Sequence, residues 1–141
     1  MEKWDNYLRE AEDMKRVAKA IMLGDVEGFN DGKILLLKRA DDHITESSPH
    51  EWDLPGGHIQ EGENEKEGLA REIEEETGFT PLHVPRWFLL TGHTRFFLVQ
   101  DWEGSFRLSS EHQDYEWISP EDITNYNLGT MYSNAVEQAF K

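Results

Sequence analysis

Residues 64–78 read NEKEGLAREIEEETG, and no other stretch constrains the fold as strongly. Asn64 followed by Glu67 is a capping-box pattern that opens a helix, and Gly78 is placed to end it in a left-handed cap. Leu69 and Ile73 lie one turn apart and mark the side that faces a core. Glu72, Glu75 and Glu76 stand at i, i+3 and i+4, so three carboxylates leave one face of the helix within about one turn. Like charges that close are destabilising unless something positive sits between them. Upstream, Pro55-Gly56-Gly57 forms a turn whose missing side chains let the backbone approach closely.

The rest of the chain supplies strands. Residues 16–23 (RVAKAIML) and 33–40 (KILLLKRA) are strand-like, and the Gly/Asn/Asp-rich stretch between them predicts a hairpin. Residues 51–57 bring a short strand into the Pro-Gly turn. Further strands are predicted over 85–90, 93–100, 105–108 and 115–119. Ser119-Pro120-Glu121-Asp122 opens a helical turn, and residues 130–140 read as a terminal helix. Residues 2–14 read as a short amphipathic helix or an ordered arm. With no repeat, low-complexity tract or linker, the economical reading is one α/β domain over residues 1–141.

Composition narrows the function classes. The 141 residues contain no cysteine, which excludes thiol nucleophiles, zinc fingers and iron–sulfur sites. The apolar runs are too short to span a bilayer and the first residues are charged, so a cytoplasmic protein is expected. The net charge of −15 makes nucleic acid and anionic membranes poor partners. That charge is uneven: residues 61–76 hold eight acids and two bases, and residues 101–125 hold seven acids and one base. Each stretch thus carries −6, while 77–100 holds only Arg86 and Arg95.

Two explanations of the acidic helix stay open: a solvated face, or a carboxylate cluster that binds a divalent cation. Oxygen-only donors in a compact group suit Mg²⁺ or Mn²⁺, and the carbonyl of Gly57 is placed to join them. No histidine pair has zinc-ligand spacing.

At this point the residues match a family. Gly57, Glu63, Arg71-Glu72-Ile73, Glu75-Glu76 and Gly78-Phe79 resemble the Nudix box at every fixed position. The likeness extends to the strand ending in Lys38-Arg39, to Trp52-Asp53-Leu54-Pro55-Gly56-Gly57, and to Glu111-His112 before Trp117. It implies the Nudix fold, an α/β/α sandwich with a central mixed β-sheet. It also implies a Mg²⁺- or Mn²⁺-dependent hydrolase that cuts a pyrophosphate bond of a nucleoside diphosphate derivative with water.

Residue by residue, the resemblance makes Glu72, Glu75 and Glu76 the metal ligands, with the carbonyl of Gly57. Glu63 becomes the loop carboxylate that assists them and Arg71 the guanidinium that fixes their rotamers. Glu111 is a further candidate ligand, and Glu76 and Glu111 are the candidate general bases; Glu111 reads equally well as a loop acid. Arg39, Trp52, Arg95 and Asn134 are candidate substrate contacts. For Arg39 an edge-strand charge is an equal alternative, and Trp52, Trp87 and Phe96 are more naturally core aromatics than base platforms.

Tags of the ADP-ribose, dinucleoside polyphosphate, NADH and coenzyme A members are mostly missing. By elimination a MutT-like nucleoside triphosphate hydrolase leads. Hydrolysis of ADP-ribose or dinucleoside polyphosphates and non-catalytic nucleotide binding are the alternatives, the second disfavoured by intact box carboxylates. Isomerase chemistry on this fold uses a cysteine and is set aside. A small nucleotide is the expected partner, and a homodimer is common in the family.

Overall fold

The computed structural model describes residues 16–24, 32–46 and 49–141. The proposed helix at 2–14 and most of the turn at 24–32 lie outside them. Among the described residues, nine strands and two helices follow in order: β1 Val17–Met22, β2 Ile34–Arg39, β3 Trp52–Asp53, β4 Gly56–His58, α1 Glu65–Thr77, β5 Thr80–His83, β6 Leu89–Thr91, β7 Thr94–Val99, β8 Asp101–Glu103, β9 His112–Ile118 and α2 Thr130–Ala139. Short 3-10 turns occupy Asp41–His43 and Pro120–Asn125.

One sheet has the order β4-β1-β7-β6 and is mixed, since β1 runs parallel to β7 and antiparallel to β4. A second, antiparallel sheet has the order β3-β2-β9, and β5 pairs with β8. The expected hairpin of β1 and β2 does not form. Among the described residues the two segments pair at one isolated bridge, Leu23 just past β1 to Ile34, and each strand finds its ladders elsewhere. Sequence proximity favours local pairing, but β7 and β9 offer six-residue registers that bury both strands.

The run Ile34-Leu35-Leu36-Leu37 is fully buried on both faces, which explains why it is continuous rather than alternating. Leu35 and Leu37 pack with Leu69 and Ile73 of α1; Ile34 and Leu36 pack with Ala135 and Val136 of α2. The sheets therefore separate two cores, one under each helix, in an α/β/α arrangement. Each fully buried leucine or isoleucine contributes about 1.5–3 kcal/mol. Two strand assignments shift: 85–88 and 105–108 are irregular, while β5 and β8 form where none was predicted. Phe79, Trp102 and Phe106 cluster there, so aromatic packing rather than alternation decides that local structure.

The ends of α1 follow the sequence closely. The Asn64 side chain accepts a hydrogen bond from the Glu67 amide at 2.9 Å, satisfying one of the open donors of the first turn. Gly78 closes the helix at φ 77°, and a Cβ there would lie 2.5 Å from the Ser105 carbonyl oxygen. Gly78→Ala is therefore expected to cost about 1–3 kcal/mol from the left-handed backbone, with the clash adding to it, and Asn64→Ala about 1 kcal/mol. Urea denaturation of the two variants checks both values and their order.

Candidate active site

Among the described residues β1 and β2 share no ladder beyond the bridge of Leu23 to Ile34. Towards their other ends, Val17 and Lys19 of one strand and Arg39 of the other line a cleft of about 560 Å³. The segment 52–58 crosses between the sheets: β3 pairs with β2, and β4 pairs with β1. This crossing carries Asp53, Gly56 and Gly57 into the cleft, and α1 brings Glu72, Glu75 and Glu76 to it. Ser109, Ser110, Glu111 and His112 also line it, as do His43 and, from α2, Tyr132.

The three box glutamates are in three different environments. Glu76 is buried and accepts a hydrogen bond from the Gly56 amide at 3.1 Å. Burial pushes its carboxyl up to about 8, against the pull of Lys19 and the Gly56 N–H. Glu72 lies against Gly57, where an added Cβ would fall 2.8 Å from the Glu72 carboxyl carbon. A side chain at 57 would displace the Glu72 carboxylate from this position. Glu75 is more exposed and joins Glu72 through Arg71.

Arg71 is the electrostatic centre of this side. Its Nε and Nη2 donate to the two oxygens of Glu63 at 2.8 and 3.1 Å, a bidentate fork. Its Nη1 donates to Glu72 at 3.2 Å and to Glu75 at 3.2 and 3.3 Å, and Nη2 reaches the His58 carbonyl. Glu63 also accepts the Gln60 amide, and these bonds, Arg71 first, hold its carboxyl below the usual carboxylate range.

A second charged group underlies the cleft. Lys19 and Asp53, both buried, pair at 3.0 and 3.2 Å. Burial alone would raise the Asp53 pKa, but the Lys19 ammonium, His112 and Arg39 outweigh it and hold the carboxyl at about 2. Burial likewise opposes the charge on Lys19, yet Asp53 prevails and its pKa stands above the ordinary lysine value. Arg39 Nη2 lies 3.4 Å from Asp53, and His112 Nε2 lies 3.9 Å from it.

Among the described residues, no three His, Asp or Glu side chains stand close enough to enclose an ion. Arg71 draws Glu72 and Glu75, while Glu76 turns to Gly56. The donor set still suits a hard divalent cation: besides Asp53, which Lys19 engages, the carboxylates of Glu72, Glu75, Glu76 and Glu111 and a glycine backbone line one cleft, with Glu72 cradled against Gly57.

The structure thus brings together Gly57, Glu72, Glu75, Glu76, Glu111 and Arg39, with Glu63 and Arg71 directly behind them. Other expected contacts fall elsewhere. Arg95 turns away to pair with Glu65 at 3.0 Å, its guanidinium over the Trp87 ring. Asn134 is exposed on α2 and lines neither this cleft nor the smaller one beside it. Trp52 lines that smaller cleft, which shares Arg39 and Tyr132 with the larger, and its ring packs edge-on against Tyr126. Phe96 is a core residue, fully buried. Sequence reasoning missed Lys19, Tyr132 and the role of Asp53. The available signal was a lysine in the middle of the otherwise apolar strand VAKAIM.

Known proteins resemble the chain throughout this region. The family model for the NUDIX domain matches residues 17–137. Nucleoside triphosphatase NudI of Escherichia coli is 35% identical, over 70% of this chain and 82% of its own length. A structure from work on MutT of Aliivibrio salmonicida and Vibrio cholerae superposes with a TM-score of 0.68 at 24% identity, covering 87% of this chain and 94% of that one. The NUDIX domain of Shewanella oneidensis NrtR, solved with ADP ribose, gives a TM-score of 0.65 at 16% identity, covering 89% and 87%. At these identities the two structures establish the fold. The family match over most of the length, together with the NudI relative, shows that the chain belongs to the NUDIX domain family, as a MutT-like hydrolase of phosphoric anhydride bonds.

Proposed function

We propose that the chain is a divalent-metal-dependent pyrophosphohydrolase that converts a (deoxy)nucleoside triphosphate and water to the nucleoside monophosphate and pyrophosphate. The observation that carries this reading is the two-sided cleft: carboxylates of Glu72, Glu75, Glu76 and Glu111 line it together with the cationic Arg39 and with His43. The NudI relative, a nucleoside triphosphatase, supports the substrate class.

Glu72, Glu75 and Glu76 with the Gly57 carbonyl would hold Mg²⁺ or Mn²⁺, and Glu111 is a further candidate donor. When bound, such an ion neutralises phosphate oxygens and lowers the pKa of a coordinated water. The chain's own residues do the rest. Arg71 keeps Glu72 and Glu75 in place between two turnovers, and Glu63 in turn fixes Arg71. Arg39, at the cleft wall, offers its charge to the phosphate chain. A carboxylate, Glu111 or Glu76 in its ionised form, accepts the proton of the attacking water, and pyrophosphate leaves opposite the attack at phosphorus.

Arg71→Lys removes the fork to Glu63 but keeps the charge; a fall in kcat of about 10–100-fold is expected, the usual cost of losing an outer partner of a metal ligand. Glu72→Gln and Glu75→Gln should each cost more than that with the melting curve little changed. Near-wild-type turnover in both would sink the metal-cluster assignment. A nucleotide screen with Mg²⁺ and Mn²⁺, reading products by chromatography, tests the substrate class. Pyrophosphate plus NMP is expected. AMP plus ribose 5-phosphate from ADP-ribose, or tight binding without cleavage, would each replace the triphosphatase reading.

A further inference from the structure

The buried Lys19–Asp53 pair is not needed to make either core, and the reaction outlined above does not use it. The hydrogen bonds of the Lys19 ammonium all go to the crossing segment, while Asp53 also faces Arg39 and His112. Beyond Asp53, the Lys19 ammonium donates to the carbonyls of Leu54 and Gly56, each at 3.1 Å. The neighbouring Ala20 amide donates to the Pro55 carbonyl at 2.8 Å. A trans peptide points its C=O and the following N–H in opposite directions. The Pro55 carbonyl is turned to β1, so the Gly56 N–H is turned away from it, and there it meets Glu76 at 3.1 Å. Gly56 sits at φ 131° with its Cα so close to β1 that a Cβ would be 2.1 Å from the Ala18 carbonyl oxygen. Next in the chain is Gly57, against which Glu72 rests.

We propose that Lys19 is a positioning residue of the active site, its Asp53-clamped ammonium holding the Leu54 and Gly56 carbonyls so that the Gly56–Gly57 backbone presents itself correctly to Glu76 and Glu72. This deepens the metal-site reading above and rests on it. Two buried carbonyls and a carboxylate converge on one ammonium, which adds charge-assisted hydrogen bonds to the three-residue β4 ladder. Asp53, bonded to its neighbour's amide at 2.9 Å, keeps the ammonium from swinging towards the glutamates. Lys19 makes no hydrogen bond to Glu72, Glu75 or Glu76; its charge draws on the Glu76 carboxyl from a distance, and its hydrogen bonds reach the cluster through the backbone.

The test separates positioning from mere structure. Removing Lys19 alone strands a buried carboxylate, whereas replacing a buried ion pair by apolar residues of similar size is often neutral for stability. The double variant Lys19→Met/Asp53→Leu removes both charges together but leaves the Leu54 and Gly56 carbonyls unpaired, so it is expected to fold with wild-type circular dichroism and a lowered melting temperature. Mn²⁺ binding to the nucleotide-free full chain, followed by electron paramagnetic resonance of the free ion, should weaken at least about tenfold, the scale of losing an outer partner of a ligand. With nucleotide, kcat should fall by a similar factor while KM stays within about threefold. If the double variant does not fold, Lys19→Gln/Asp53→Asn, whose shorter amide cannot reach both carbonyls, carries the same expectation. A folded variant of either kind with wild-type Mn²⁺ affinity and kcat overturns the proposal. A wild-type chain that binds no Mn²⁺ overturns instead the metal-site reading on which it rests.

Discussion

The pairing of Lys19 with Asp53 is the contact on which the cleft depends. It joins two sheets that, among the described residues, pair along β1 and β2 at a single bridge, and it does so at the end where they have separated. The segment 52–58 leaves one sheet and enters the other within seven residues, so its turn lies over the opening rather than inside a ladder. Buried carbonyls at such a crossing have no strand partner, and a satisfied buried ammonium is one of few ways to accommodate them. Replacing water by an ion pair is expensive, and the geometry here offsets that cost with four acceptor oxygens around one nitrogen.

On the other side of the cleft, the problem is opposite in sign. α1 brings three carboxylates together, and one guanidinium, Arg71, faces two of them while anchored by Glu63. The third, Glu76, is buried and held by a backbone amide, with its acid form favoured. The two halves of the site thus use the same device, a buried or half-buried cation that organises anions, with Lys19 acting on the backbone and Arg71 on side chains. Both leave the cleft itself lined with oxygen donors.

Much of this was legible beforehand. The ends of α1 follow from Asn64, Glu67 and Gly78 because capping is local chemistry, set within four residues. The gathering of Glu72, Glu75 and Glu76 follows from the helical period. Gly57 beside Glu72 was readable from a glycine turn placed before the helix. The pairing of β1 and β2 was not, because two apolar strands joined by a turn satisfy the hairpin pattern whether or not longer registers exist with β7 and β9. Arg95 and Asn134 illustrate a second limit. Strand and helix positions can be assigned along the chain, but the face each presents depends on register and on what competes for the charge, and Glu65 takes Arg95.

By itself, the sequence determined the quantities that depend on a few neighbouring residues: the helix and its caps, the acidic face, the tight Pro-Gly-Gly turn, the absence of thiol chemistry and the family signature. Tertiary structure decided what depends on distant segments meeting. It set the parallel neighbour of β1, the splay that opens the cleft, the partition of aromatics between core and surface, and the partners of each buried charge. Lys19 and Asp53 are 34 residues apart and their pairing needs both sheets in place. No local pattern specifies such a contact, because its energy exists only once water has been excluded from between the strands that carry it.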